Sequence, residues 1–258
     1  MTLPEYEYKG LMAESWDVIR GDTSKSPDRG FFLDLIQKSG QPVLDVGCGT
    51  GRLLLDYLAQ GIDIDGVDNS PDMLALCRHK AETLGLSPTL YEQYVETLSL
   101  PRHYPTILIP STSLQLIIDP VLAVQTLQRL VAHLLPGGVV AAPIVTYWKP
   151  GDPLTRSWEQ TAVRAEDGAT FRREGRYWFN PETACSDTED RYQVIVAEKV
   201  VTEEVHRRSP ALRSYRQDQA RSLFEGIGFN TVELYSGFTF EPVKADDTGF
   251  MAVGQKAG

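Results

Sequence analysis

The stretch Val43-Leu44-Asp45-Val46-Gly47-Cys48-Gly49-Thr50-Gly51-Arg52 decides how the rest of this chain is read. An apolar run carrying one acid ends in three glycines on alternate positions, and a helix-like segment follows. Glycine lets a backbone turn through positive φ and come close to a ligand. The helix start that follows offers free N–H groups and the positive end of its dipole to an anion. The acid inside the strand can accept hydrogen bonds from an amino group. The spacing therefore describes a site for a ligand that bears both a carboxylate and an ammonium.

Working outward, Pro42–Val46 reads as a buried strand, 51–60 as a helix stopped by Gly61, and Ile62–Val67 as a second strand. Asp68 closes that second strand, where a ribose-binding acid belongs in this topology; Asp63 and Asp65 compete for the role but lie within the run. Ser70-Pro71 supplies a cap and a first-turn proline for a helix to about Leu84. Short strands follow near Leu90–Tyr94 and Thr106–Ile109. A helix is expected over 120–135 from the spacing of Val121, Val124, Leu127, Leu130, Val131 and Leu134, and Pro136-Gly137-Gly138 turns the chain into a strand over Val139–Val145. Strand–helix alternation of this kind predicts a parallel sheet with helices on both faces.

Upstream, Tyr6, Tyr8, Trp16 and Ile19 are apolar anchors, Gly21–Pro27 reads as a loop and Phe31–Lys38 as a short helix. After residue 146 the alternation breaks. Phe171–Phe179, Tyr192–Val196 and Val200–His206 read as strands of an antiparallel patch. A helix over Tyr215–Ile227 and two strands near Thr231–Tyr235 and Phe250–Val253 then complete the sheet.

The chain has 258 residues, 42% hydrophobic and 23% charged, enough for one large α/β domain. The net charge of −10 argues against a nucleic-acid substrate. Acidic and basic residues balance between 147 and 221, so the excess lies outside that region. Cys48, Cys77 and Cys185 form no CxxC pair, which suits a reducing cytoplasm. No stretch reaches the length of apolar residues that spans a membrane. His79, His103, His133 and His206 are scattered without metal-like spacing, and His103 is placed nearest the loops at the ligand edge.

Asp45-Val-Gly-Cys-Gly-Thr-Gly51, followed by Asp68 and by Leu134-Leu-Pro-Gly-Gly138, resembles the motifs of the class I S-adenosylmethionine-dependent methyltransferases, and the resemblance runs from about Trp16 to Val253. It implies a Rossmann-like sheet of seven strands, the last antiparallel, with the cofactor S-adenosyl-L-methionine across the carboxyl ends of the first strands. Gly47, Cys48 and Gly49 would line its methionine end together with Asp45, Asp68 would take the ribose hydroxyls, and Asn69 and Met73 would flank the adenine. Trp16-Asp17 is similar to a Tyr-Asp segment that covers the cofactor in small-molecule members. Many members place an acid near the adenine after the third strand; here Tyr94 stands there, next to Val95, so that contact falls to backbone or to the phenol. With Pro110 these residues complete the expected cofactor set, and no catalytic residue or metal is assigned.

Transfer of a methyl group from sulfonium is an in-line displacement, so the protein chiefly aligns the acceptor and excludes water. The acceptor wall is expected after the fourth strand, over Pro110-Ser-Thr-Ser-Leu-Gln115, and on the insertion, where Tyr147, Trp148, Trp158, Arg172, Tyr177 and Trp178 are candidates. The chain thus divides into a cofactor-covering segment (1–30), the cofactor domain (31–146 and 214–258) and an antiparallel insertion (147–213) that is a lid over a small-molecule acceptor or a homodimer interface. A non-catalytic cofactor-binding protein is the alternative function. A nicotinamide-dependent oxidoreductase fits less well, because its third glycine comes three residues after the second, not two.

Overall fold

A computed structural model describes residues 7–258; Tyr6 lies outside them. In chain order the elements are α1 (Leu11–Glu14), α2 (Trp16–Arg20), α3 (Pro27–Ser39), β1 (Val43–Val46), α4 (Leu54–Ala59), β2 (Ile64–Asp68), α5 (Pro71–Leu84), β3 (Thr89–Glu92), β4 (Tyr104–Leu108), α6 (Pro120–Ala132), β5 (Leu134–Val145), β6 (Thr155–Val163), β7 (Thr170–Asn180), β8 (Cys185–Val196), β9 (Lys199–Arg213), α7 (Gln217–Glu225), β10 (Phe229–Ser236) and β11 (Gly249–Lys256).

Seven strands form one sheet in the order β10-β11-β5-β4-β1-β2-β3, and β6-β7-β8-β9 form a second. In the first, β1 to β5 run parallel while β11 is antiparallel to both β5 and β10. β1 is buried along its whole length because helices cover both faces. One core packs α6 and α7 on one face, through Leu127, Leu130 and Phe224; the other packs α3, α4 and α5 through Phe32, Leu54 and Cys77. Each fully buried Leu or Phe contributes about 1.5–3 kcal/mol.

Four expectations shift. Helix α3 begins at Pro27, four residues before Phe31, because Ser26-Pro27 sets its first turn as Ser70-Pro71 sets that of α5. The buried stripe of α6 is Leu122, Ala123, Thr126, Leu127 and Leu130, with Val121 facing solvent, and Leu134 already belongs to β5. The insertion has four strands, not three: β6 is an edge strand exposed on most of both faces, so it lacks a buried alternation. His103 precedes β4 at the amino edge of the sheet, where its ring lies 6.0 Å from that of His133, away from the ligand edge.

The insertion leaves β5 and returns after β9 at one point. Gln115, fully buried, receives a hydrogen bond from Val145 N and donates to the carbonyls of Val145 and Arg213. A small third core joins α1 to the second sheet through Leu11, Met12, Phe171, Tyr192 and Val194.

Candidate active site

A cavity of about 460 Å³ opens at the carboxyl edge of the first sheet, and the inner face of the second sheet forms its far wall. The near wall is the glycine turn. Gly47 and Gly49 take φ of 71° and 54°. A Cβ on Gly47 would stand 2.9 Å from Ser113 Oγ, and one on Gly49 would stand 3.2 Å from Met73 Cε, so the turn needs both its conformation and its bareness.

Asp45 at the end of β1 is buried, and its Oδ1 makes no hydrogen bond. Burial pushes its carboxyl up to about 7, opposed by the nearby Arg52 guanidinium. Arg52 is itself held by Asp28, with Nη1 3.1 Å from Oδ1. At the end of β2, Asp68 accepts from Gly49 N at 2.8 Å through Oδ2 and from Ser70 N at 2.9 Å through Oδ1. Burial raises its pKa against those backbone donors. One carboxylate thus ties the glycine turn to the start of α5, where Ser70 Oγ accepts from Met73 N, and each of its oxygens keeps a lone pair for a ligand. Asp63 and Asp65 are committed elsewhere: both bind Arg102, and Asp65 also accepts from Tyr104 Oη at 2.9 Å.

Of the residues expected to hold a cofactor, Trp16, Asp45, Gly47, Cys48, Gly49, Asp68, Asn69, Met73, Val95 and Pro110 all line the cavity. Tyr94 does not. It starts the turn after β3, and its hydroxyl points to Glu7, 3.4 Å away, while Gln93 lines the cavity instead. The amino-terminal segment closes the site from above. Tyr8 and Trp16 meet edge to face at 4.9 Å, Thr50 Oγ1 donates to Asp17 at 2.7 Å, and Ser70 Oγ donates to the Tyr8 carbonyl.

The far wall corrects the expected residues. Strand side chains alternate between faces. On β7 the inward set is Phe171, Arg173, Gly175, Tyr177 and Phe179, so Arg172 and Trp178 point away: Arg172 binds Gln193 and Trp178 is exposed. Tyr177 lines the cavity as expected, as do Tyr147 and Trp158, while Trp148 stacks on Phe179 outside it. Sequence reasoning missed Arg156, Arg173, Thr188, Asp190 and Arg208, which also line the cavity. The period-2 parity of the buried Phe171, Tyr177 and Phe179 was the signal that could have found Arg173. Gly175 has its own reason: a Cβ there would stand 2.1 Å from the Trp158 ring, so its absence lets the indole lie across β7.

Residues 43–138 match a family described as a methyltransferase domain. Over 91% of its length the chain is 24% identical to a dTDP-3-amino-3,6-dideoxy-alpha-D-glucopyranose N,N-dimethyltransferase of Streptomyces fradiae, covering 89% of that protein. Among solved structures it is similar to an S-adenosylmethionine-dependent methyltransferase from Clostridium acetobutylicum, with a TM-score of 0.74, 20% identity, and 95% and 97% of the two chains covered. It is also similar to CalS10, an amino pentose methyltransferase from Micromonospora echinaspora solved with S-adenosylmethionine bound, with a TM-score of 0.69, 20% identity, and 99% and 100% covered.

Proposed function

Because the chain belongs to the class I S-adenosylmethionine-dependent methyltransferases and transfers a methyl group to a small-molecule acceptor, we propose that the methylated atom is an amine nitrogen and that the acceptor sits between the two sheets. The observation that carries this reading is the single cavity shared by the glycine turn and the inner face of the second sheet. The N-methylating relative supports nitrogen as the nucleophile.

The site fits the cofactor on its own residues. The unpartnered Oδ1 of Asp45 is a buried polar atom that a ligand would satisfy. Asp45 would take the ammonium, the glycine turn the carboxylate, Asp68 the ribose hydroxyls, and Asn69, Met73, Val95 and Pro110 the adenine end. The sulfonium supplies the activated methyl group. What the chain's residues then do is orient the acceptor and shut out water: Trp16 and Tyr8 cover the cofactor end, and β6 to β9 hold the acceptor. An amine reaching the site as ammonium must lose its proton first, and Asp190 is the carboxylate on the acceptor wall.

The same reading takes 147–213 as the acceptor wall. It also takes the protein to work in a reducing cytoplasm, which suits three buried, unpaired cysteines. Among the described residues no helix is long and apolar enough to cross a membrane. Incubation with S-adenosylmethionine and matched panels of amines, phenols and alcohols tests it. S-adenosylhomocysteine should form with amines, together with an N-methylated product. Turnover confined to oxygen nucleophiles would overturn the nitrogen assignment.

A further inference from the structure

The acceptor wall holds buried polar groups that the fold leaves unanswered. On the inner face, Thr188 stands opposite Arg208 and Tyr177, and Asp190 stands opposite His206 and Gly175. Asp190 is fully buried. Its Oδ1 accepts from Arg173 Nε at 2.8 Å, while Oδ2 has no partner. Arg173 is fixed in place, its guanidinium carbon 5.4 Å from the Trp158 ring centre and 5.6 Å from that of Tyr192. Thr188 Oγ1 has no partner either.

Arg208 is the sharper case. Its guanidinium lies 4.9 Å over the Tyr8 ring, and Nη2 is 3.8 Å from the Met12 sulfur, yet Nε and Nη1 are buried and unpartnered. Of the other arginines on this cavity, Arg52 is paired with Asp28, Arg173 with Asp190 and Arg156 with Asp152, while Arg20 lies on Trp16. Arg208 has no carboxylate within ion-pair distance among the described residues. Either edge of a guanidinium, Nε with Nη2 or Nη1 with Nη2, matches the two oxygens of a carboxylate or phosphate, and here each edge carries one unanswered N–H. Arg208 as a whole is half-buried, but covering two of its N–H groups without a partner is costly, and a ligand anion would remove that cost.

Resting on the small-molecule reading above, we infer that the acceptor bears an anionic group, a carboxylate or a phosphate, seated on Arg208 and Thr188, and beside it an N–H or O–H donor that fills the free oxygen of Asp190. The two positions are diagonal neighbours on adjacent strands, roughly 7–8 Å apart along the backbone. One small molecule can reach both.

The test is calorimetry on the protein loaded with S-adenosylhomocysteine. Inorganic phosphate and acetate probe the anion alone; O-phosphoethanolamine and glycine add an ammonium, and the phosphate and carboxylate arms distinguish the two anions. At least one anion should bind at millimolar concentration, with its ammonium-bearing counterpart about tenfold tighter. Arg208→Met should remove binding of both, and Asp190→Asn should remove only the tenfold difference. Arg208→Lys, which keeps the charge but not the fork, should bind with intermediate strength. In each variant, S-adenosylhomocysteine affinity within about threefold of the parent reports an intact cofactor end. If the loaded protein binds none of the four probes, or Arg208→Met binds them as well as the parent, the inference is overturned. If S-adenosylhomocysteine itself does not bind, the failure lies with the cofactor reading instead.

Discussion

The two walls of the cavity are built on opposite plans. At the glycine-turn wall, proposed for the cofactor, the chemistry is in the backbone: glycines at positive φ, strand ends, a helix start, and Asp68 bonded to two main-chain N–H groups. At the wall made by the second sheet, proposed for the acceptor, it is in side chains projecting from alternate positions of four long strands, several of them unpartnered. The first plan fixes one ligand by the path of the chain. The second fixes only a surface, and its specificity can change one side chain at a time.

The largest expected effect breaks this division at its hinge. Asp68→Ala removes charge-assisted hydrogen bonds and should weaken S-adenosylhomocysteine binding roughly tenfold to a thousandfold in a titration, whatever the acceptor. Asp63→Ala should leave that affinity unchanged, since Asp63 is exposed and spent on Arg102.

Asp45 sharpens the comparison through pH. Its folded pKa, about 7, lies above that of the unfolded chain, so the folded protein holds a proton that the unfolded chain has released. Stability from this group is therefore complete below about pH 4 and lost as pH rises through 7. Asp45→Asn in the cofactor-free protein should match the parent at pH 4 and exceed it by roughly 2–4 kcal/mol at pH 9, read by denaturant unfolding. In the parent, cofactor affinity should fall as pH drops below 7, because the protonated acid no longer attracts the ammonium.

On the other wall, Gly175→Val forces the Trp158 ring off β7 and should cost about 1–3 kcal/mol of stability. It should raise the acceptor KM more than it alters cofactor affinity. The smallest effect is expected of Trp178→Ala, within about 0.5 kcal/mol and with unchanged turnover, since this side chain faces away from the cavity. A large loss of turnover there would mean that the outer face of the second sheet takes part in the reaction.

The same division explains what could be read from the sequence. The glycine turn, Asp68 and the Ser70-Pro71 cap are local signals, each enforced by backbone sterics, and they led to the sheet and to all but one of the cavity residues expected at that end. Tyr94 failed because β3 stops at Glu92, and the chain then turns so that Gln93 faces inward. The acceptor wall was harder. β6 is exposed on most of both faces and carries no clear period, and the grouping Arg172, Tyr177, Trp178 mixes the two faces of one strand. Asp190 is buried, and Thr188 and Arg208 have covered polar atoms, because this face of the second sheet lies against the rest of the cavity, so nothing beside them in the sequence marks them as internal.

Gln115 has a bearing on how such a protein can diversify. Because one buried amide clasps both the departure of the second sheet at Val145 and its return at Arg213, the excursion between them is closed on itself like a cassette in a fixed socket. Lengthening a loop whose ends are already held costs little in chain entropy. A lineage can therefore exchange the whole module, or a protein engineer can graft another, while the donor half keeps its register, provided the α1 residues that pack on the second sheet are exchanged with it.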